Sequence, residues 1–215
     1  MRVLVIGGTG RLGRAVVAHA LAAGHAPVVF GRSASDAPAG ALPVVGDATD
    51  AAAVERAFVG VDAAVIALSI PRASASPFAA VTGPADLHSR SARLVLDAMR
   101  HHGVRRVIKV SAQGVGSSAG RAGWGFRALV AVSNLAPAFA DHAVADALVC
   151  ASDRDWTVVH PPMLADGGGD GAVNAGEHVQ TGTLTRLPRG DLARWLVEAL
   201  ADPGWVRRAV TIGPA

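Results

Sequence analysis

Four glycines, Gly7, Gly8, Gly10 and Gly13, fall within seven residues directly behind an apolar run in MRVLVIGGTGRLG. A strand that breaks into such a turn and then enters a helix presents unpaired helix N–H groups and the positive end of the helix dipole. With side chains excluded, a pyrophosphate can reach that backbone. The spacing satisfies G-x-G-x-x-G from Gly8 and G-x-x-G-x-x-G from Gly7, so the pattern leaves open which glycine makes which contact. After the first strand of a chain that alternates strand and helix, the motif points to a dinucleotide. The end of the second strand discriminates between the two nicotinamide dinucleotides, because an acid there holds the ribose 2′-OH and repels a 2′-phosphate. Here FGRSAS places Arg32 and Ser33 in that position, Arg11 in the glycine turn can assist, and Asp36 comes too late, so NADP(H) is expected rather than NAD(H).

Other candidates follow the later strands. In GDATD at 46–50, Asp47 can accept from an adenine amino group while Thr49 or Asp50 caps the next helix. ALS at 67–69 offers small residues against which a cofactor can lie. Ser111 stands at the end of the central strand, where its hydroxyl can orient a carboxamide or hydrogen-bond an acceptor. His142, after Asp141 at an expected helix start, can donate a proton at neutral pH, although a surface imidazole is the commoner outcome there. His160 precedes Pro161-Pro162 and reads as a buried ring satisfied by backbone, His101-His102 as a pair serving a helix dipole, and Asp191 as the cap of the last long helix.

The elements that must position these residues alternate. Strand-like runs at 2–6, 27–30, 42–45, 62–68, 104–110, 155–160 and 207–212 are separated by helical patterns at 11–23, 50–58, 86–102, 140–152 and 190–201. This order implies an α/β fold, a doubly wound and mostly parallel sheet with helices on both faces. Ligands then sit beyond the carboxyl ends of the strands, where the strand order reverses. The glycine-rich 113–140 reads as a lid followed by an apolar stretch, and 165–178 as a second mobile element at the rim.

Composition narrows the classes. The chain has 215 residues, 51% of them hydrophobic, which suits one domain spanning 1–215. No apolar run reaches the roughly 18 residues of a membrane span, and no signal-peptide pattern opens the chain, so a cytoplasmic protein without membrane partners is expected. The net charge is +3 and the pI about 10.3, but the arginines are scattered and aromatics make up only 4%, so no nucleic-acid partner is expected. Cys150 is the single cysteine and cannot seed a disulfide or a metal cluster, and no metal is expected.

Together IGGTGRLG at 6–13, GR at 31–32, GDATD at 46–50, VIALS at 65–69, VIKVSAQGVG at 107–116, DHAVADALVCASDRDWTVVHPPML at 141–164 and GDLARWLVEAL at 190–200 carry a resemblance. The chain resembles the atypical branch of the short-chain dehydrogenase/reductase superfamily, the NAD(P)-binding NmrA-like and biliverdin-IXβ (flavin) reductase-like proteins. The resemblance implies a single-domain Rossmann fold whose substrate side is built from about 113–140 and 163–188. It implies Gly7, Thr9, Gly10, Arg11, Leu12 and Gly13 at the pyrophosphate, and Arg32 and Ser33 at the 2′-phosphate. Asp47 and Ala48 then meet the adenine, Ala67, Leu68 and Ser69 the adjoining ribose, and Ser111 the nicotinamide, with Pro161 to Met163 as the other wall. One departure is decisive: the tyrosine-dependent members use a Tyr-x-x-x-Lys pair, and this chain has no tyrosine. That excludes carbonyl–alcohol interconversion by that route and argues against sugar-nucleotide epimerisation. What remains is an NADPH-dependent reductase passing hydride to a planar conjugated acceptor (flavin, quinone or linear tetrapyrrole), as monomer or homodimer, with Ser111 and His142 as catalytic candidates. The rival is a non-catalytic NADP(H)-binding sensor of the NmrA-like kind.

Overall fold

The sheet follows from what its strands must bury. In the computed structural model, which describes residues 1–74 and 76–215, β1 (Arg2–Ile6) buries Val3, Leu4, Val5 and Ile6 completely, as a strand covered on both faces must. It pairs in parallel with β2 (Ala26–Gly31) and β4 (Ala63–Ile66), so that Ile6 stands beside both Phe30 and Ile66. Outward on one side lies β3 (Leu42–Val45). On the other lie β5 (Arg106–Val110), β6 (Asp155–His160), β10 (Arg208–Pro214) and β8 (Val173–Gly176). The order is β3-β2-β1-β4-β5-β6-β10-β8, parallel except for the β10–β8 pair. The chain leaves β1 in one direction and returns in the other, which opens a crevice at the carboxyl ends of β1 and β4.

Helices cover both faces. On one, α1 (Arg11–Ala22) and α6 (Arg189–Ala201) pack Val16, Val17, Leu192 and Leu196 against Val3 and Val5. On the other, α2 (Ala51–Ala57) and α3 (Leu87–His101) bring Val54, Val95 and Met99 to Leu4 and Ile6, while α5 (Ala136–Cys150) sets Val149 on Val158. This is the expected doubly wound Rossmann arrangement in a single domain. Local chemistry sets the ends: α1 stops at Gly24, whose φ of +73° suits glycine. Asp50, rather than Thr49, caps α2, its Oδ1 accepting from the N–H groups of Ala52 at 2.9 Å and Ala53 at 3.3 Å.

The region 113–140 contains regular structure. It holds a 3-10 turn over Gly116–Arg121, then α4 (Trp124–Ala131), and α5 begins at Ala136 rather than at 140. None of the residues of α4 is buried, and Trp124 is 86% exposed, because the helix lies outside both layers of the sandwich. Within 163–188, β7 (Met163–Ala165) and β9 (Arg186–Pro188) form a small parallel pair of their own. The two regions touch where Gln113 Nε2 donates to the Thr181 carbonyl at 2.9 Å. Among the described residues no single helix is long and apolar enough to cross a membrane.

Asp191 does not cap α6, whose entry at Pro188 has no side-chain cap. Its Oδ1 instead accepts from the N–H groups of Gly169 at 2.5 Å and Gly171 at 2.9 Å, pinning the glycine loop that passes over the helix start. The reason is steric: that loop lies so close that a Cβ on Gly190 would stand 2.2 Å from the Gly168 carbonyl oxygen.

Candidate functional site

A cleft of about 540 Å³ opens where the strand order reverses. Its floor is the glycine turn, and each glycine there has a different reason. Gly7 has a φ of +81°, and a Cβ on it would meet the Ala67 carbonyl oxygen at 2.7 Å. Gly8 faces inward, where a Cβ would stand 2.9 Å from the Val5 carbonyl oxygen and 3.0 Å from a Val29 methyl. Gly13 lets α1 settle on the turn, since a Cβ would fall 2.1 Å from the Gly7 carbonyl oxygen. Gly10 is different. It is the N-cap of α1, a Cβ there would meet only the Gly7 carbonyl oxygen at 3.2 Å, and it faces the cleft. The working register is therefore G-x-x-G-x-x-G from Gly7. Gly8 and Gly13 serve packing, and Gly10 is the least crowded of the four. The first turn of α1 has neither a side-chain cap nor an acidic residue, so its amides suit an anion.

Thr9, Gly10, Arg11 and Leu12 line the cleft beside this turn. Arg32 stands exposed at the end of β2, and Asp47 lies opposite with Ala48. Asp47 Oδ1 accepts from Thr49 N–H at 2.8 Å and Thr49 Oγ1 at 2.7 Å, and these bonds hold its carboxyl below the usual range. Ala67, Leu68 and Ser69 continue the wall, followed by Ser111, His142 and Pro161. Three expected residues are not part of the lining. Gly13 is spent on packing, Ser33 turns into the 3-10 segment Ala34–Asp36, and Met163 faces away, because residues of a strand alternate and its neighbour Leu164 lines the cleft instead.

Two arginines without a sequence signal also reach the cleft, Arg72 and Arg189. Arg189 Nη1 donates to Asp166 Oδ1 at 2.5 Å, and Arg11 Nη1 lies 3.4 Å from Asp166 Oδ2, so one carboxylate joins the glycine turn to the start of α6.

Behind Ser111 and His142 lies a buried polar network that sequence reasoning missed. Lys109 is 1% exposed, and its Nζ sits 2.6 Å from Asp146 Oδ1 and 3.3 Å from His142 Nδ1. Asp146 Oδ2 accepts from Ser111 Oγ at 2.8 Å and meets His160 Nε2 at 3.1 Å. Burial works against the Asp146 carboxylate, yet His160 and Lys109 outweigh it and hold its pKa below the ordinary value. Burial lowers Lys109, against the pull of Asp146. His142 stacks on His88 with ring centroids 3.6 Å apart, and burial drives His88 down to about 4 and His142 well below 6.5, so both rings are neutral. His142 is thus in the second turn of α5 rather than on a surface helix start, and His160 meets a side chain through Nε2 while its buried Nδ1 has no partner among the described residues. His101 and His102 lie away from the cleft and pair with Glu55 at the end of α2. Burial pushes the Cys150 thiol up to about 11, which removes it as a nucleophile at neutral pH.

A signal for this network did exist. Lys109 is the only lysine in the chain, two residues before Ser111, which directly follows the strand and falls on the same side, and Asp146 lies one helical turn after His142.

A model of the NAD(P)H-binding family matches residues 7–203. Among solved structures, the chain is similar to the oxidoreductase ylbE from Lactococcus lactis, with a TM-score of 0.81 and 17% identity over 100% of this chain and 91% of that one. It is similar to ChuY from Escherichia coli O157:H7, described as an anaerobillin reductase, with a TM-score of 0.78 and 20% identity over 100% and 97% of the two chains. It is also similar to a short-chain dehydrogenase/reductase from Veillonella parvula in complex with NADP, with a TM-score of 0.77 and 13% identity over 99% and 94%. At such identities these likenesses establish the fold.

Proposed function

Because the chain belongs to the NAD(P)H-binding family, we propose that it is an NADPH-dependent oxidoreductase that passes hydride to a planar conjugated acceptor, a flavin, quinone or linear tetrapyrrole. The observation that carries the reading is a cleft in which an uncapped helix start, Arg32 and the Ser111–His142 wall share one edge of the sheet. The anaerobillin reductase named above and the oxidoreductase ylbE support the same class.

The residues present fit the dinucleotide. In this reading Gly7, Gly10 and the α1 amides, with Arg11, hold the pyrophosphate, and Arg32 holds the 2′-phosphate. Asp47 and Ala48 meet the adenine, and Ala67 to Ser69 the ribose. When bound, NADPH supplies the hydride. The protein positions the acceptor between the Ser111 and Pro161 walls, and the segments 113–140 and 163–188 form its substrate side, beside which Trp124 lies exposed. Holding donor and acceptor at reacting distance is most of the work in such chemistry. The lack of any tyrosine favours the second reading, an NADP(H)-binding sensor.

Absorbance decay of NADPH with purified protein against FMN, menadione and biliverdin, beside a no-enzyme control, separates the two. Enzyme-dependent decay with any acceptor establishes the reductase. Bound NADPH without decay favours the sensor.

A further inference from the structure

We propose that Lys109 is the positioning residue for proton delivery: it holds His142 as the tautomer protonated on Nε2 and reloads that ring from behind during turnover. The proposal rests on the oxidoreductase reading above for its second half and on the geometry alone for its first.

An ammonium has three donors and no acceptor, so the 3.3 Å contact from Lys109 Nζ engages the lone pair of His142 Nδ1 and leaves the ring proton on Nε2. His142 lines the cleft, and Lys109 stands behind it, 1% exposed. The same network assigns Ser111. Its hydroxyl proton is committed to Asp146 Oδ2 at 2.8 Å, so Ser111 offers the cleft lone pairs, suited to a carboxamide N–H, and no proton. Of the two wall residues, His142 is therefore the donor. For merely tying β5 to α5 an apolar pair would serve as well, because burying two charges costs about what their attraction returns. The groups that face Lys109 are His142, Asp146, Asp141 and Cys150 from α5 and His88 from α3, and His160 from β6 meets the far oxygen of Asp146.

The step balances. As the acceptor receives hydride, the heteroatom of its conjugated system on which the negative charge collects takes the Nε2 proton of His142, and Nδ1 takes a proton from Lys109, leaving a neutral amine. After product release a solvent proton enters at Nε2, and the Nδ1 proton returns to the amine. The net change is one hydride and one solvent proton added to the acceptor.

The first test is imidazole nitrogen NMR on the cofactor-free protein near neutral pH, with His142 assigned by the signal lost in His142→Gln. The expected result is an Nε2–H ring in the wild type that becomes a tautomer mixture in Lys109→Met. An Nδ1–H ring in the wild type, or a pattern unchanged in the variant, overturns the proposal. Should Lys109→Met fail to fold with Asp146 left unpaired, Lys109→Met/Asp146→Leu removes both charges and faces the same criterion. The second test is kinetic. Lys109→Met and His142→Gln each lower kcat at least about tenfold with the NADPH Kd within about twofold, and the double variant is no slower than the slower single one. Losses that multiply, or a kcat left unchanged, overturn the relay. A wild type inactive with every acceptor overturns the oxidoreductase reading and the reloading with it, and the NMR result still decides the tautomer claim.

Discussion

A guanidinium standing in water adds little to affinity until a dianion meets it, and then the charge-assisted bonds contribute about 1.5–3 kcal/mol. Arg32 is such a group, exposed at the end of β2. Arg32→Ala should weaken NADPH binding about 10- to 100-fold and leave NADH binding nearly unchanged, read by calorimetry. Equal losses for the two would remove the 2′-phosphate assignment. The glycines of the turn should divide in the same manner. Gly13→Ala puts a methyl 2.1 Å from a carbonyl oxygen and should cost about 3 kcal/mol or more, visible as a lowered denaturation midpoint. Gly10→Ala should cost less stability than Gly13→Ala yet lose NADPH, because its methyl would stand on the cleft side of the turn. The motif announced four glycines without distinguishing them; the distinction came from which backbone stands within reach of each.

At the scale of elements, two carboxylates do work that their sequence neighbourhood does not announce. Asp141, on α5, accepts from the N–H groups of His88 at 2.7 Å and Ser89 at 3.1 Å, and so caps α3 from another helix, while Asp86 at the helix's own N-cap makes no such bond. Asp191 pins the 167–171 loop. Removing a buried acceptor from two amides costs about 1–3 kcal/mol, so Asp191→Ala should lower the melting temperature and speed hydrogen exchange at Gly169 and Gly171. Unchanged exchange at those two amides would show that loop closure rests on packing alone. Capping is read from sequence when donor and acceptor are near neighbours, as at Asp50; across 52 or 53 residues, as at Asp141, the partner is a product of the fold. The same limit hid α4. Its apolar pattern reads as a segment seeking cover, and only the packed layers show that it lies outside them.

The molecule as a whole carries buried neutral histidines, and these set its acid stability. A histidine whose folded pKa is depressed is neutral in the fold but takes a proton in the unfolded chain below about 6.5, so the unfolded state binds more protons and stability rises with pH. For His88 the window runs from 6.5 down to about 4, and His142 acts in the same direction. Stability should therefore be fully present above pH 6.5 and fall on acidification by about 1.4 kcal/mol per pH unit for each such ring. Urea denaturation at pH 7.5, 6 and 5 measures the slope, and His88→Asn should flatten it; a slope indifferent to that substitution would show the ring to be charged in the fold. The alternation of strands and helices, the two-sided and mostly parallel sheet, and the glycine turn with Arg32, Asp47, Ser111 and His142 at the carboxyl ends of its strands were legible in the chain, because each depends on periodicity or on position just after a strand, whereas the strand order and the short strands β7, β8 and β9 were not. The tertiary structure alone decided the Lys109–Asp146–His142–His160 network, the Arg11–Asp166–Arg189 link and the glycine register. These depend on distances between elements far apart in sequence, and such distances exist only once the helices have packed onto the sheet.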